Sequence, residues 1–251
     1  MTLPGYTDHG GDGPVVVLLH SFLMDGRMFA PQVAAFDGFR CVTVDERGHG
    51  GTPATGPFDY WDVARDVLAV LDELGVSRAA VVGTSQGGFV ALRMALLAPS
   101  RVTALAVLGT SAAAEDPAVA AGYRAVLDAW VSGGAPAEVL DGVAQICFGG
   151  FPVDEWKERW TSVAPDQLKL TMGALVDRDS VLSRVGEIAC PVLVLHGSAD
   201  LAYPVERASE LVDALPAAEP LVVVEGGAHF LSYTHPDEVN PALAKFLAAH
   251  A

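Results

Sequence analysis

Residues 83–87 read Gly-Thr-Ser-Gln-Gly, with an apolar run at 79–82 before them and a helix-forming run at 87–97 behind. A serine between two glycines at this spacing, on a turn from strand to helix, is a nucleophile motif. The turn strains the serine backbone, and side chains at 83 or 87 would collide within it. It also points the first backbone N–H groups of the helix, at the positive end of its dipole, toward a developing oxyanion. Ser85 is the predicted nucleophile.

Such a serine needs a base, and the chain offers seven histidines. His229 lies in Val-Glu-Gly-Gly-Ala-His-Phe, on a glycine-rich loop after the last strand-like run. Loops at one end of a parallel sheet converge, which brings His229 within reach of Ser85. The others have plainer readings: His9, His235 and His250 near termini or helix starts, His196 packed at a strand end, His49 in a charged turn, His20 bracing a loop. The imidazole needs a carboxylate to fix its tautomer and balance the cation it becomes. Asp200, closing His-Gly-Ser-Ala-Asp, is the favoured acid, with Glu115 and Asp116 as rivals. Two backbone donors complete the set: the N–H of Gln86 and, by position in the loop 20–25, that of Phe22.

Positioning these residues requires a particular scaffold. Six runs, at 15–19, 41–44, 79–82, 104–108, 192–195 and 221–224, are continuously apolar, as parallel strands covered on both faces must be. Between them lie helix patterns at 59–74, 87–97, 205–215 and 239–249. The alternation predicts an α/β fold with a doubly wound, mostly parallel sheet. About eighty residues separate the fourth and fifth runs, too many for a simple crossover. Helix patterns at 117–131, 137–148, 153–163 and 165–176 fill that gap. The expected organisation is a core of 1–110 and 189–251 with an inserted helical lid at 111–188. The pocket is expected between Leu23 and Met24 beside Phe22, Tyr203 and Phe230 opposite, and Trp156, Trp160 and Met172 above. The lid aromatics could equally form the helices' own core.

Composition bounds the function. The 251 residues suit one domain with an insertion, and 31 acidic against 15 basic residues give a net charge of −16. That balance argues against nucleic acid and anionic membranes as partners. Cys41, Cys147 and Cys190 read as free, buried thiols of a reducing compartment. No secretion signal or membrane span is visible, which predicts a cytoplasmic protein, monomer or homodimer. No metal-ligand cluster or cofactor motif appears, so no metal and no cofactor are expected.

Together, Leu-Leu-His20-Ser-Phe22, Asp45-Glu-Arg47-Gly-His-Gly, Gly83-Thr-Ser85-Gln-Gly87, His196-Gly-Ser-Ala-Asp200 and Gly227-Ala-His229-Phe make the chain resemble the lidded α/β-hydrolase superfamily from about residue 14 onward. Ser85, Asp200, His229 is that fold's nucleophile, acid, base order. Around residues 20–32 the chain looks most like small bacterial esterases and lactone hydrolases, including the 3-oxoadipate enol-lactone hydrolases. Two features depart from the pattern: Ser21 replaces the second glycine of His-Gly, and the leading hairpin is short. The resemblance implies hydrolysis of a carboxylic ester or lactone of a small, largely apolar substrate. Carbon–carbon bond hydrolysis, cofactor-free perhydrolysis and a ligand sensor acting through a partner protein are the alternatives.

Overall fold

The computed structural model describes residues 3–134 and 136–251. Its sheet contains β1 (Tyr6–Asp8), β2 (Val15–Leu19), β3 (Arg40–Val44), β4 (Ala79–Thr84), β5 (Val102–Leu108), β6 (Val192–Gly197) and β7 (Val222–Val224). Their spatial order is β1-β3-β2-β4-β5-β6-β7. All pairings from β3 to β7 are parallel, and β1 adds to the β3 edge antiparallel, with Tyr6 opposite Val44. All six apolar runs become strands. β1 went unseen because its three residues are exposed and show no apolar run.

Each central strand sends alternate residues into two separate cores, which is why its middle positions are apolar on both faces. Val17, Leu19, Val81 and Val107 face one core, together with α2 (Tyr60–Glu73), α3 (Gln86–Leu97) and α8 (Val205–Ala214). Val16, Leu18, Val82 and Leu108 face the other, against Phe29 before α1 (Ala30–Ala35) and Leu243 and Phe246 of α10 (Pro236–His250). Local signals set the ends. Asp59 caps α2 by accepting from the Asp62 N–H at 2.8 Å, and Asp62 reaches back to the Asp59 N–H. Gly75 then leaves the helix at φ +66°.

Between β5 and β6 the chain forms α4 (Pro117–Gly133), α5 (Ala137–Phe148), α6 (Asp154–Thr161) and α7 (Pro165–Val176). Trp130, Phe148, Trp156 and Trp160 join the second core, while Met172, Leu175 and Val176 join the first. A short helix, α9 (Leu231–Thr234), precedes α10. Among the described residues, no helix is long and apolar enough to cross a membrane. All three cysteines are free, but only Cys41 is fully buried, so the expectation of three buried thiols is corrected for the half-buried Cys147 and Cys190.

Candidate active site

Ser85 stands between β4 and α3 with φ +52° and ψ −111°, one of two non-glycine residues at positive φ among those described. Neighbouring backbone enforces this strained geometry. A Cβ on Gly83 would lie 2.3 Å from the Gly87 carbonyl oxygen, and one on Gly87 would lie 2.0 Å from that of Leu19. The Ser85 N–H donates to the Leu108 carbonyl, and the Thr110 hydroxyl donates to the Ser85 carbonyl at 2.8 Å. The serine is therefore fixed on both sides by β5 and the loop beyond it.

The Ser85 hydroxyl lies 2.8 Å from His229 Nε2, and His229 Nδ1 lies 2.8 Å from Asp200 Oδ2. A carboxylate can only accept, so Nδ1 carries the proton and Nε2 is free to take one. Asp200 Oδ1 accepts from the Ala202 and Tyr203 N–H groups, which fixes the carboxylate. Burial opposes its ionisation, but His229 and the Tyr203 N–H prevail and hold its pKa below the ordinary value. His196, fully buried, donates to the Tyr203 carbonyl at 3.0 Å and lies 3.5 Å from Asp200 Oδ2. The Thr84 and Ser232 hydroxyls meet at 3.0 Å, pinning the end of β4 to the segment after His229.

The rival acids have other partners. Glu115 faces Arg178 at 3.0 Å and accepts from the Tyr203 hydroxyl at 3.0 Å. Asp116 caps α4, accepting from the Ala118 and Val119 N–H groups. Neither reaches His229.

The two expected oxyanion donors flank the serine. Gln86 is the first residue of α3, whose leading N–H groups have no partner within the helix. The loop carrying Phe22 is held by Ser21, whose hydroxyl donates to the Thr84 carbonyl. Serine at this position therefore ties the loop to the end of β4. His20 braces the loop, as expected: its Nε2 accepts from the Glu46 N–H, so Nδ1 bears the proton and donates to the Ser21 carbonyl. Burial lowers the His20 pKa to about 4, and burial together with His20 lowers that of His49 to about 3. Both rings are neutral at pH 7.

Ser85 and His229 open into a cavity of about 350 Å³ with a largely apolar lining. Of the residues expected around a pocket, Phe22, Leu23, Met172, Tyr203 and Phe230 line it. Met24, Trp156 and Trp160 do not, and that expectation is corrected: they border a separate, more polar cleft beyond Leu23. Trp160 is held away by its indole N–H, which donates to the Leu23 carbonyl at 2.8 Å. Trp156 packs edge-on against Tyr233. The actual roof is Tyr123, Val126 and Trp130 of α4 with Val139, Val143 and Ile146 of α5. Their three- and four-residue steps along one helix face were a readable signal. The buried contact of the Glu46 carboxyl with the Gln86 side chain left no such signal. Among the described residues, no group of three His, Cys, Asp or Glu side chains is arranged to hold a metal.

Comparison with known proteins agrees with this architecture. The family described as alpha/beta hydrolase fold matches residues 14–236. A Mycobacterium tuberculosis protein named as a non-heme bromoperoxidase is 31% identical, over 96% of this chain and 97% of its own. A Caulobacter protein named as a carbamate hydrolase is 30% identical, over 97% and 95%. The crystal structure of an enol-lactonase from Burkholderia xenovorans superimposes with a TM-score of 0.87 at 25% identity, covering 97% of this chain and 96% of that one.

Proposed function

The chain belongs to the α/β-hydrolase fold family, and from that premise we propose that it is a serine hydrolase of small, largely apolar carboxylic esters or lactones. One observation carries this reading: the unbroken hydrogen-bonded line from Ser85 through His229 to Asp200 opens into an apolar cavity. His229 removes the Ser85 proton as the oxygen attacks the carbonyl carbon, and Asp200 balances the imidazolium. The oxyanion receives the Phe22 and Gln86 N–H groups. Collapse returns the proton to the leaving alkoxide and leaves an acyl-Ser85, which water, activated by the same histidine, hydrolyses. The helices α4, α5 and α7 act as a lid that shapes the acyl site and excludes water. Turnover of p-nitrophenyl butyrate by the wild type, with loss in S85A, tests the reading; activity retained in S85A would overturn it.

The bromoperoxidase name of a relative favours a second reaction at the same serine. There hydrogen peroxide replaces water as the group that attacks the acyl-enzyme, giving a peracid and free Ser85. Peracid formed from peroxide and a short-chain acid or ester, and absent in S85A, would establish it.

A further inference from the structure

Glu46 lies in the turn after β3, 1% exposed, and it has no place in the chemistry outlined above. Its main chain and side chain reach different halves of the site. The Glu46 N–H donates to His20 Nε2 at 2.9 Å, and His20 Nδ1–H donates to the Ser21 carbonyl at 2.8 Å. That carbonyl and the Phe22 N–H belong to one rigid peptide group. On the other side, Glu46 Oε2 accepts from the Gln86 side-chain amide at 2.7 Å, while Gln86 Oε1 accepts from the Tyr60 hydroxyl at 3.1 Å. Phe22 and Gln86 are thus the ends of one buried hydrogen-bonded path that passes through Glu46.

We propose that Glu46 is a positioning residue for hydrolysis, setting the spacing and orientation of the two oxyanion donors through His20 on one side and Gln86 on the other. This rests on the reading that Phe22 and Gln86 receive the oxyanion. The carboxyl must be neutral to do this well. Glu46 Oε1 is buried with no hydrogen-bond partner, so an ionised carboxylate would be half unsolvated. Burial pushes its pKa up to about 8, opposed by the Gln86 hydrogen bond and aided by Asp45. The groups around it do not titrate nearby. His20 and His49 are neutral, Tyr60 is raised far above its usual value by burial, and Arg47 is paired with Asp66. Ionisation of Glu46 therefore sets a negative charge next to donors that must stabilise another, and turnover falls.

The test is the pH dependence of kcat and KM for p-nitrophenyl butyrate in wild type, E46Q, E46L and S85A. In the wild type kcat should decline above pH 8, and in E46Q that decline should vanish while neutral-pH turnover is largely retained. E46L should lose kcat by about 10- to 100-fold with KM within about twofold, a fraction of the loss of a whole donor. An alkaline decline unchanged in E46Q overturns the proposal even if E46L fails to fold, as does wild-type kcat in folded E46L. Activity in S85A would instead remove the serine mechanism on which the proposal stands.

Discussion

Arg178 and Glu115 form an ion pair at 3.0 Å whose side chains are only 1% and 4% exposed, and this commits Glu115 to the scaffold. Asp200 is the carboxylate left to serve His229. Asp200→Asn should therefore cut kcat by a factor of order 10⁴, the loss seen when the imidazole is left in the wrong tautomer. Glu115→Gln should leave the chemistry of folded enzyme nearly intact while costing about 3–5 kcal/mol of stability, because it strands a buried guanidinium. Steady-state kinetics and urea unfolding on both variants separate the effects. A kinetic collapse in Glu115→Gln without destabilisation would reverse the assignment.

Ser85→Ala should lower turnover by ~10⁴ or more and leave folding nearly unchanged. Phosphonate treatment should add mass to the Ser85 peptide of wild type alone. Labelling elsewhere, with Ser85 unmodified, would contradict the proposed nucleophile.

Selectivity should follow the cavity lining. Val143→Phe fills the acyl space and should reduce kcat/KM for octanoyl relative to acetyl esters by about tenfold or more, since each methylene carries about 1–3 kcal/mol. Trp160→Phe removes the hydrogen bond to Leu23 and some packing in the second core, both outside the cavity lining, and should affect all chain lengths alike. If Trp160→Phe changes chain-length preference and Val143→Phe does not, the acyl site lies in the polar cleft instead.

Acid should unfold the protein by charging two imidazoles. The folded chain keeps His20 and His49 neutral down to about pH 4 and 3, whereas an unfolded histidine takes a proton near 6.5. Their stabilisation is thus complete above pH 6.5 and is lost as pH falls toward 4 and 3, roughly 3 kcal/mol or more per ring. Glu46 has the opposite sign: its raised pKa gives stability that is full below about 4.5 and is lost as pH rises through about 8. Unfolding free energies from urea titrations between pH 4 and 9 should peak near neutrality. A flat profile would refute the buried neutral states.

The sequence showed the sheet because both faces of each central strand are covered, so β2 is apolar at every position, and β4 and β6 are apolar up to the polar or glycine residues at their C-terminal ends, Gly83 and Thr84, and His196 and Gly197. The nucleophile motif was legible for a related reason: contacts of backbone with backbone at 83 and 87 admit only glycine. Trp156 and Trp160 were placed in the pocket because tryptophan content does not reveal which way a helix faces. The Trp160 indole turned out to be claimed by a carbonyl 137 positions away. Glu46 was invisible for a similar reason, since its meaning comes from His20 and Gln86, distant in sequence and adjacent only in the fold.

The hydrogen bond between Thr84 and Ser232 joins the residue before Ser85 to the third residue after His229. Gln32 secures the same point by donating to the Ser232 carbonyl at 2.7 Å. Bringing Ser85 and His229 together is thus completed during folding, and in the proposed mechanism each cycle would begin with that search already over. Turnover should accordingly show a small activation entropy. Freeing the pin with Thr84→Val or Ser232→Ala should make that entropy more negative, visible as a changed temperature dependence in an enzyme whose reacting atoms are all unaltered.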